Sequence, residues 1–154
     1  MNTKLREAGL DDAGLLRELM LACWTGRVAE DSSAFRETEA DIRAELRRGG
    51  AFILSLAQTP IASARWRDLG DAWEMARLGV LPPFRKQGHS RTLCEAVAAR
   101  ARAAGAQELR IGIRRDQPRL LDFYATQGFI ITEAFEYSHP NPRTDPPWLM
   151  RRAL

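Results

Sequence analysis

The chain is predicted to fold as an α/β (α+β) domain, a single mixed, mostly antiparallel central sheet of about seven strands with helices on both faces. Alternation of hydrophobic period points there first: strand-length runs of period two are interleaved with helix-length runs of period 3.6. Their order, β α α β β β α β α β β, is the second sign. In it the strand–helix–strand segment 74–113 requires a parallel crossover inside an antiparallel meander. Third, the 154 residues show no internal repeat and no linker, so one domain spans 1–154.

Residues 5–8 read as a first strand. Asp11 or Asp12 then caps a helix whose Leu16, Leu19, Met20 and Cys23 fall on one face, with Trp24 at its end and Gly26 as the breaker. Residues 25–36 are polar and irregular, a loop, and 37–48 form a second helix with a thin stripe of Ile42 and Leu46, stopped by Gly49-Gly50. A meander follows: strand 51–57, a turn at 58–60, strand 61–67, a turn at 68–71 and strand 72–81. Leu93, Val97 and Ala101 recur every fourth residue in the helix 88–104, and Leu109, Ile111 and Ile113 alternate with polar neighbours in the next strand. A shorter helix, 118–126, carries proline in its first turn and Gly128 after its end. Strand 129–137, a proline-stiffened loop 139–147 and strand 148–153 complete the chain.

Composition narrows the function. The net charge is only +3, and the arginines are scattered or merely paired (Arg47-Arg48, Arg114-Arg115, Arg151-Arg152), which argues against nucleic-acid binding and suits a small polyanionic ligand. Lys4 and Lys86 are the only lysines, a bias that reflects a GC-rich, bacterial coding genome. No apolar segment reaches the roughly 20 residues of a membrane span, and the charged N-terminus is unlike a signal peptide, so a cytoplasmic protein without membrane partners is expected. Cys23 and Cys94 lack metal-ligand spacing and fall on apolar helical faces; buried, reduced thiols and no metal are the expectation.

The most informative stretch runs from Arg77 to Arg91. An apolar strand stops at Pro82-Pro83, and Arg85-Lys86-Gln87-Gly88-His89-Ser90 then opens directly into a helix. The amides of Gln87 to Ser90 stand unpaired at that helix start, and the macrodipole adds about half a positive charge. Gly88 lets an anion approach the backbone, and Arg85 and Lys86 supply fixed charge, so a phosphate is the natural ligand. A nucleophile elbow at Gly88-His89-Ser90 is a poor rival because Thr92 stands where that motif needs glycine. Further on, Leu120-Leu121-Asp122-Phe123-Tyr124 places a tyrosine near the end of the second short helix.

This order of elements, with Val80-Leu81-Pro82 leading into Arg85-x-x-Gly88-x-Ser90, resembles the GNAT superfamily of acyl-CoA-dependent N-acyltransferases, whose phosphate loop reads Arg/Gln-x-x-Gly-x-Gly/Ala. Gln117, Leu120, Phe123, Tyr124, Gly128 and Phe129 also occupy the places of a family pattern of polar residue, apolar position, aromatic-Tyr pair and Gly-Phe. Ser90 stands where Gly or Ala is usual, and Gln117 replaces the usual asparagine. The resemblance implies a GNAT-like fold and acetyl-CoA as co-substrate, without a metal. Its diphosphate would sit on Arg85, Lys86, Gln87, Gly88, His89 (a spacer) and Ser90. Its pantetheine arm would lie along main-chain groups of Leu78, Gly79 and Val80, with a further contact from Gln117. A glycine inside a strand, as at Gly79, marks a bulge or a close backbone approach; an ordinary core strand fits the same side chains.

Tyr124 would be the general acid for the departing thiolate. A thiol near pKa 8.5 and a phenol near 10 make that transfer uphill by roughly 2 kcal/mol, so its benefit is positional. Glu74, at the start of the strand before the phosphate loop, is the first candidate for the base, and equally reads as a solvated strand-edge residue; Tyr137 and His139 are alternatives. Trp24 and Trp73 are placed at the border of the acceptor cleft, or in the core. The implied activity is N-acetyl transfer to a small-molecule or peptide amine by direct attack in a ternary complex. The rival is a non-catalytic CoA-binding or protein-interaction module on the same fold. Such folds commonly dimerise through their last strands, which makes a homodimer the oligomer to look for.

Overall fold

The computed structural model describes residues 2–138 and 140–154. Seven strands form one sheet in the order β1-β2-β3-β4-β5-β7-β6. These are β1 (Thr3–Glu7), β2 (Gly49–Leu56), β3 (Thr59–Asp68), β4 (Ala72–Val80), β5 (Glu108–Ile113), β6 (Ile130–Ile131) and β7 (Trp148–Ala153). Every neighbouring pair is antiparallel except β4 and β5. The helices are α1 (Ala13–Trp24), α2 (Glu39–Arg48), α3 (His89–Ala103) and α4 (Arg119–Ala125).

The apolar stripes set the layers. Leu16 and Leu19 of α1 and Ile42 and Leu46 of α2 cluster with Ala51 and Ile53 of β2 on one side of the sheet. Leu93, Val97 and Ala101 of α3 are fully buried on the other, with Leu54, Trp66, Trp73, Met75 and the apolar residues of β5. Leu120, Leu121 and Tyr124 of α4 join that second cluster. Among the described residues no helix is long and apolar enough to cross a membrane.

Four departures from the expected elements have local causes. The β2–β3 turn lies at Ala57-Gln58, both at positive φ (49° and 70°), because a two-residue turn of that hand matches the twist of the strands; Pro60 is taken into β3 opposite Ser55. Asp12 does not cap α1 with its side chain: its carboxylate accepts from the Gly9 amide at 2.8 Å and pairs with Arg6, closing a short 3-10 turn before the helix. Helix α2 begins at Glu39 because Thr38 and Asp41 exchange side-chain and backbone bonds at 3.1 and 2.9 Å, which frees Glu37 for other partners. Finally, the strand expected over 129–137 survives only as Ile130–Ile131. Beyond it the chain leaves the sheet, Phe135 lies under the Arg110 guanidinium at 4.6 Å, and the ring of Tyr137 covers Gly112.

Candidate functional site

Strands β4 and β5 are paired only at Ala72–Glu108, Trp73–Leu109 and Glu74–Arg110, and then part. The cause sits in β4. Ser63 faces Gly79 while Arg65 faces Ala76, so β4 carries an extra residue, and Arg77 takes a φ of 55° at this bulge. In the resulting gap lies a cavity of about 570 Å3, bounded by residues 75–80 of β4, 111–113 of β5, the end of α1, the start of α3, and α4. Gly79 admits the end of α1 to this wall: a Cβ there would stand 2.8 Å from the Cys23 Cβ. The Trp24 indole N–H donates to the Leu78 carbonyl at 3.3 Å, and Trp24 thus lines the cavity. Leu78, Gly79 and Val80 all lie along it. Trp73 does not border it; it is buried in the core, stacked on Trp66.

Helix α3 opens at one end of the cavity. Gly88 sits at its N-cap with φ 84°, a conformation that favours glycine, and no side chain caps the first-turn amides. Lys86 also holds a positive φ of 63° and lines the cavity with Gly88, His89, Ser90 and Arg91; Gln87 is exposed and lies outside the lining. Arg85 is a brace as well as a charge. Its Nε donates to the Val80 carbonyl at 3.1 Å and its Nη2 to the Cys23 carbonyl at 2.6 Å, tying the loop to β4 and to the end of α1.

Two further arginines, Arg27 and Arg119, were not legible as site residues. Burial, and then the charges of Arg85 and Arg119, hold the Arg27 guanidinium below its ordinary pKa, the mark of cations gathered together. Gln117 joins them: its Nε2 donates to the Arg27 carbonyl at 3.1 Å, and its Oε1 accepts from Arg119. Among the described residues no Asp or Glu lines the cavity.

Tyr124 lies near the end of α4, 7% exposed, with its ring edge against Phe123 and Phe129. It lines the cavity. Burial, followed by the neighbouring Cys94, raises its pKa, so the phenol stays protonated. Cys94 is fully buried in the core and Cys23 lies in the cavity wall; burial pushes both thiols up to about 11.

Glu74 stands apart from Tyr124. It is 1% exposed and does not line the large cavity. It borders a second cavity of about 20 Å3, room for one water, together with Arg65, Arg67, Glu37, Glu45, Ala76 and Arg77. Ala76 and Arg77 line both cavities and form the wall between them. The Ser138 hydroxyl donates to the Glu74 Oε1 at 2.6 Å. Around it, Glu37 pairs with Arg65 at 2.7 Å and with Arg77 at 3.3 Å, and the Arg77 guanidinium lies over the Trp24 ring. Tyr137 is close by: burial and then the Glu74 charge raise its pKa. His139 lies outside the described residues. Among the described residues no group of His, Cys, Asp or Glu is arranged to hold a metal ion.

A splayed parallel strand pair beside an uncapped, glycine-started helix agrees with what sequence comparison finds: the profile of the Acetyltransferase (GNAT) family matches residues 15–129. The chain belongs to the GNAT acetyltransferase family. Solved GNAT structures share its fold throughout. The PaiA N-acetyltransferase of Thermoplasma acidophilum, in complex with coenzyme A, superposes with a TM-score of 0.81 over 100% of both chains at 17% identity. The ribosomal-protein-S18-alanine N-acetyltransferase of Escherichia coli gives 0.78 over 99% of this chain and 94% of that one, at 15% identity. At the sequence level, an amino-acid acetyltransferase of Azotobacter vinelandii is 36% identical over 107 residues, 69% of this chain. That alignment spans only 23% of the relative.

Proposed function

We propose that this GNAT protein is an N-acetyltransferase that carries an acetyl group from acetyl-CoA to a primary amine by direct attack in a ternary complex. One observation carries the reading: the uncapped start of α3 meets Arg27, Arg85, Lys86, Arg91 and Arg119 around one cavity that no carboxylate among the described residues lines. That donor set fits a diphosphate, and the apolar trough between β4 and β5 fits a pantetheine arm.

In this reading the amides of Gln87 to Ser90, with Arg85 and Lys86, hold the diphosphate, and main-chain groups of Leu78, Gly79 and Val80 align the arm. Bound acetyl-CoA supplies an activated thioester carbonyl. The Val80 amide polarises that carbonyl. The amine nitrogen bonds to the carbonyl carbon, the carbon–sulfur bond breaks, and Tyr124 gives its proton to the departing sulfur. Its raised pKa makes it a weak acid, so its contribution is placement, about 10- to 100-fold. The proton lost from the amine goes to Glu74 by way of the small polar cavity beside Ala76 and Arg77, whose volume admits one relay water.

An α-amine is the acceptor class we favour. Freeing its lone pair at neutral pH costs about 1 kcal/mol, against about 4–5 for a lysine side chain. The matched relative is named for amino acids, and one structural neighbour for a protein alanine. Such a protein would work in a bacterial cytoplasm, on a small-molecule or peptide amine, with no nucleic acid or membrane as partner. The test is thiol release from acetyl-CoA across a panel of amino acids, N-terminal peptides and lysine analogues. Turnover with α-amines, slowed by Tyr124→Phe and by Glu74→Gln while acetyl-CoA affinity persists, is the expected outcome. Tight acetyl-CoA binding with no transfer to any amine would instead make the protein a binding module.

A further inference from the structure

Residues 132–138 present a puzzle that the chemistry above leaves unused. Their alternating pattern suits a strand extending β6, yet the chain pairs with β7 only through Ile130 and Ile131 and then turns out of the sheet. Such a departure forfeits ladder bonds, so something must hold it. The strap is pinned at successive points on the acceptor face. The Thr132 amide donates to the Leu149 carbonyl at 2.9 Å, Phe135 stacks under Arg110, and Tyr137 lies so close over Gly112 that a Cβ there would come within 2.6 Å of its ring. The last pin is chemical: Ser138 donates its hydroxyl proton to the Glu74 carboxylate at 2.6 Å, in a site from which water is almost excluded.

We infer that Ser138 is a positioning residue for Glu74, and that the strap 132–138 leaves the sheet in order to deliver it. The inference rests on the reading of Glu74 as the base. A carboxylate on β4 has two χ angles beyond its Cβ and two oxygens to aim. A short charge-assisted bond to one oxygen fixes the rotamer and leaves the aim of the other determined. The same bond favours the ionised form, keeping Glu74 ready to accept a proton. Arg65 and Arg67 on β3 and Arg77 on β4 face the same small cavity, but Glu37 and Glu45 face it too and take those guanidinium groups. Tyr137 adds a protonated phenol from the strap.

The titration at the centre of the experiment needs no acceptor. The protein is labelled with glutamate enriched in 13C at the carboxyl carbon, and the Glu74 signal, assigned by its loss in Glu74→Gln, is titrated by NMR. Ser138→Ala should move the Glu74 midpoint upward by about one pH unit, because the lost bond stabilised the anion, and Ser138→Thr should restore it. Thermal melts and acetyl-CoA titrations of both variants should match the wild type. A Ser138→Ala midpoint equal to the wild-type value overturns the positioning role while leaving Glu74 as base. Unchanged turnover in Glu74→Gln overturns the base reading and this inference with it.

Discussion

Glu37 shows how the face beside Glu74 holds charge in a nearly dry place. Burial by itself would raise its pKa; the Arg77 charge and the hydrogen bonds from Arg65 outweigh burial and bring it below the ordinary carboxylate value. Its stabilising contribution is therefore complete above the unfolded pKa and lost as pH falls through the lower folded one. Removing one partner of such a pair leaves the other uncompensated, and Arg65 is only 6% exposed. Glu37→Gln should cost about 3 kcal/mol at neutral pH in urea denaturation, with the gap to wild type narrowing as pH falls below the ordinary carboxylate pKa. A constant gap across pH would mean that the charge on Glu37 is not what stabilises the pair. Residue-scale chemistry of this kind was only partly legible. Gly88 and Tyr124 carried their meaning in short motifs, since a loop-to-helix glycine and a helix-end tyrosine are local signals. Arg27, Arg119 and Ser138 did not, because the first two reach the cavity wall, and the third reaches Glu74, only when elements distant in sequence come together.

Among the elements, β4 decides the site. Its bulge at Arg77 and its glycine at position 79 part it from β5 and let the end of α1 close one wall of the gap. A methyl group at Gly79 would meet the Cys23 Cβ at 2.8 Å and the Trp24 Nε1 at 3.1 Å, and α1 would have to retreat. Gly79→Ala should therefore destabilise the fold by about 2 kcal/mol and weaken acetyl-CoA binding, both readable from a thermal-shift titration. Unaltered melting and affinity would show that the close approach is dispensable. The sequence announced this glycine as a bulge or a close approach. The structure separates the two, with the bulge at Arg77 and the approach at Gly79. Helix α3 was fully legible because Leu93, Val97 and Ala101 repeat on one buried face. The strand expected over 129–137 was not, since its local pattern favours a sheet that tertiary contacts of Phe135, Tyr137 and Ser138 override.

For the whole molecule, a modest net charge of +3 conceals a sharp separation. Away from the start of α3, arginines pair with carboxylates, as in Arg65–Glu37, Arg67–Glu45 and Arg152–Glu95. The cleft at the start of α3 gathers Arg27, Arg85, Lys86, Arg91 and Arg119 with no lining acid among the described residues. Composition alone could point to a small polyanion but not to where the charge would gather, because that is set by which residues the β4–α3–β5 crossover and the loop after α1 bring together. Calorimetric titration of the wild-type protein with acetyl-CoA and with S-acetylpantetheine, which shares the thioester arm but lacks the diphosphate, addresses this arrangement directly. Two charge-assisted bonds at about 1.5 kcal/mol each predict at least a roughly 100-fold tighter affinity for acetyl-CoA. Equal affinity for the two compounds, or no binding of acetyl-CoA at all, would contradict the account.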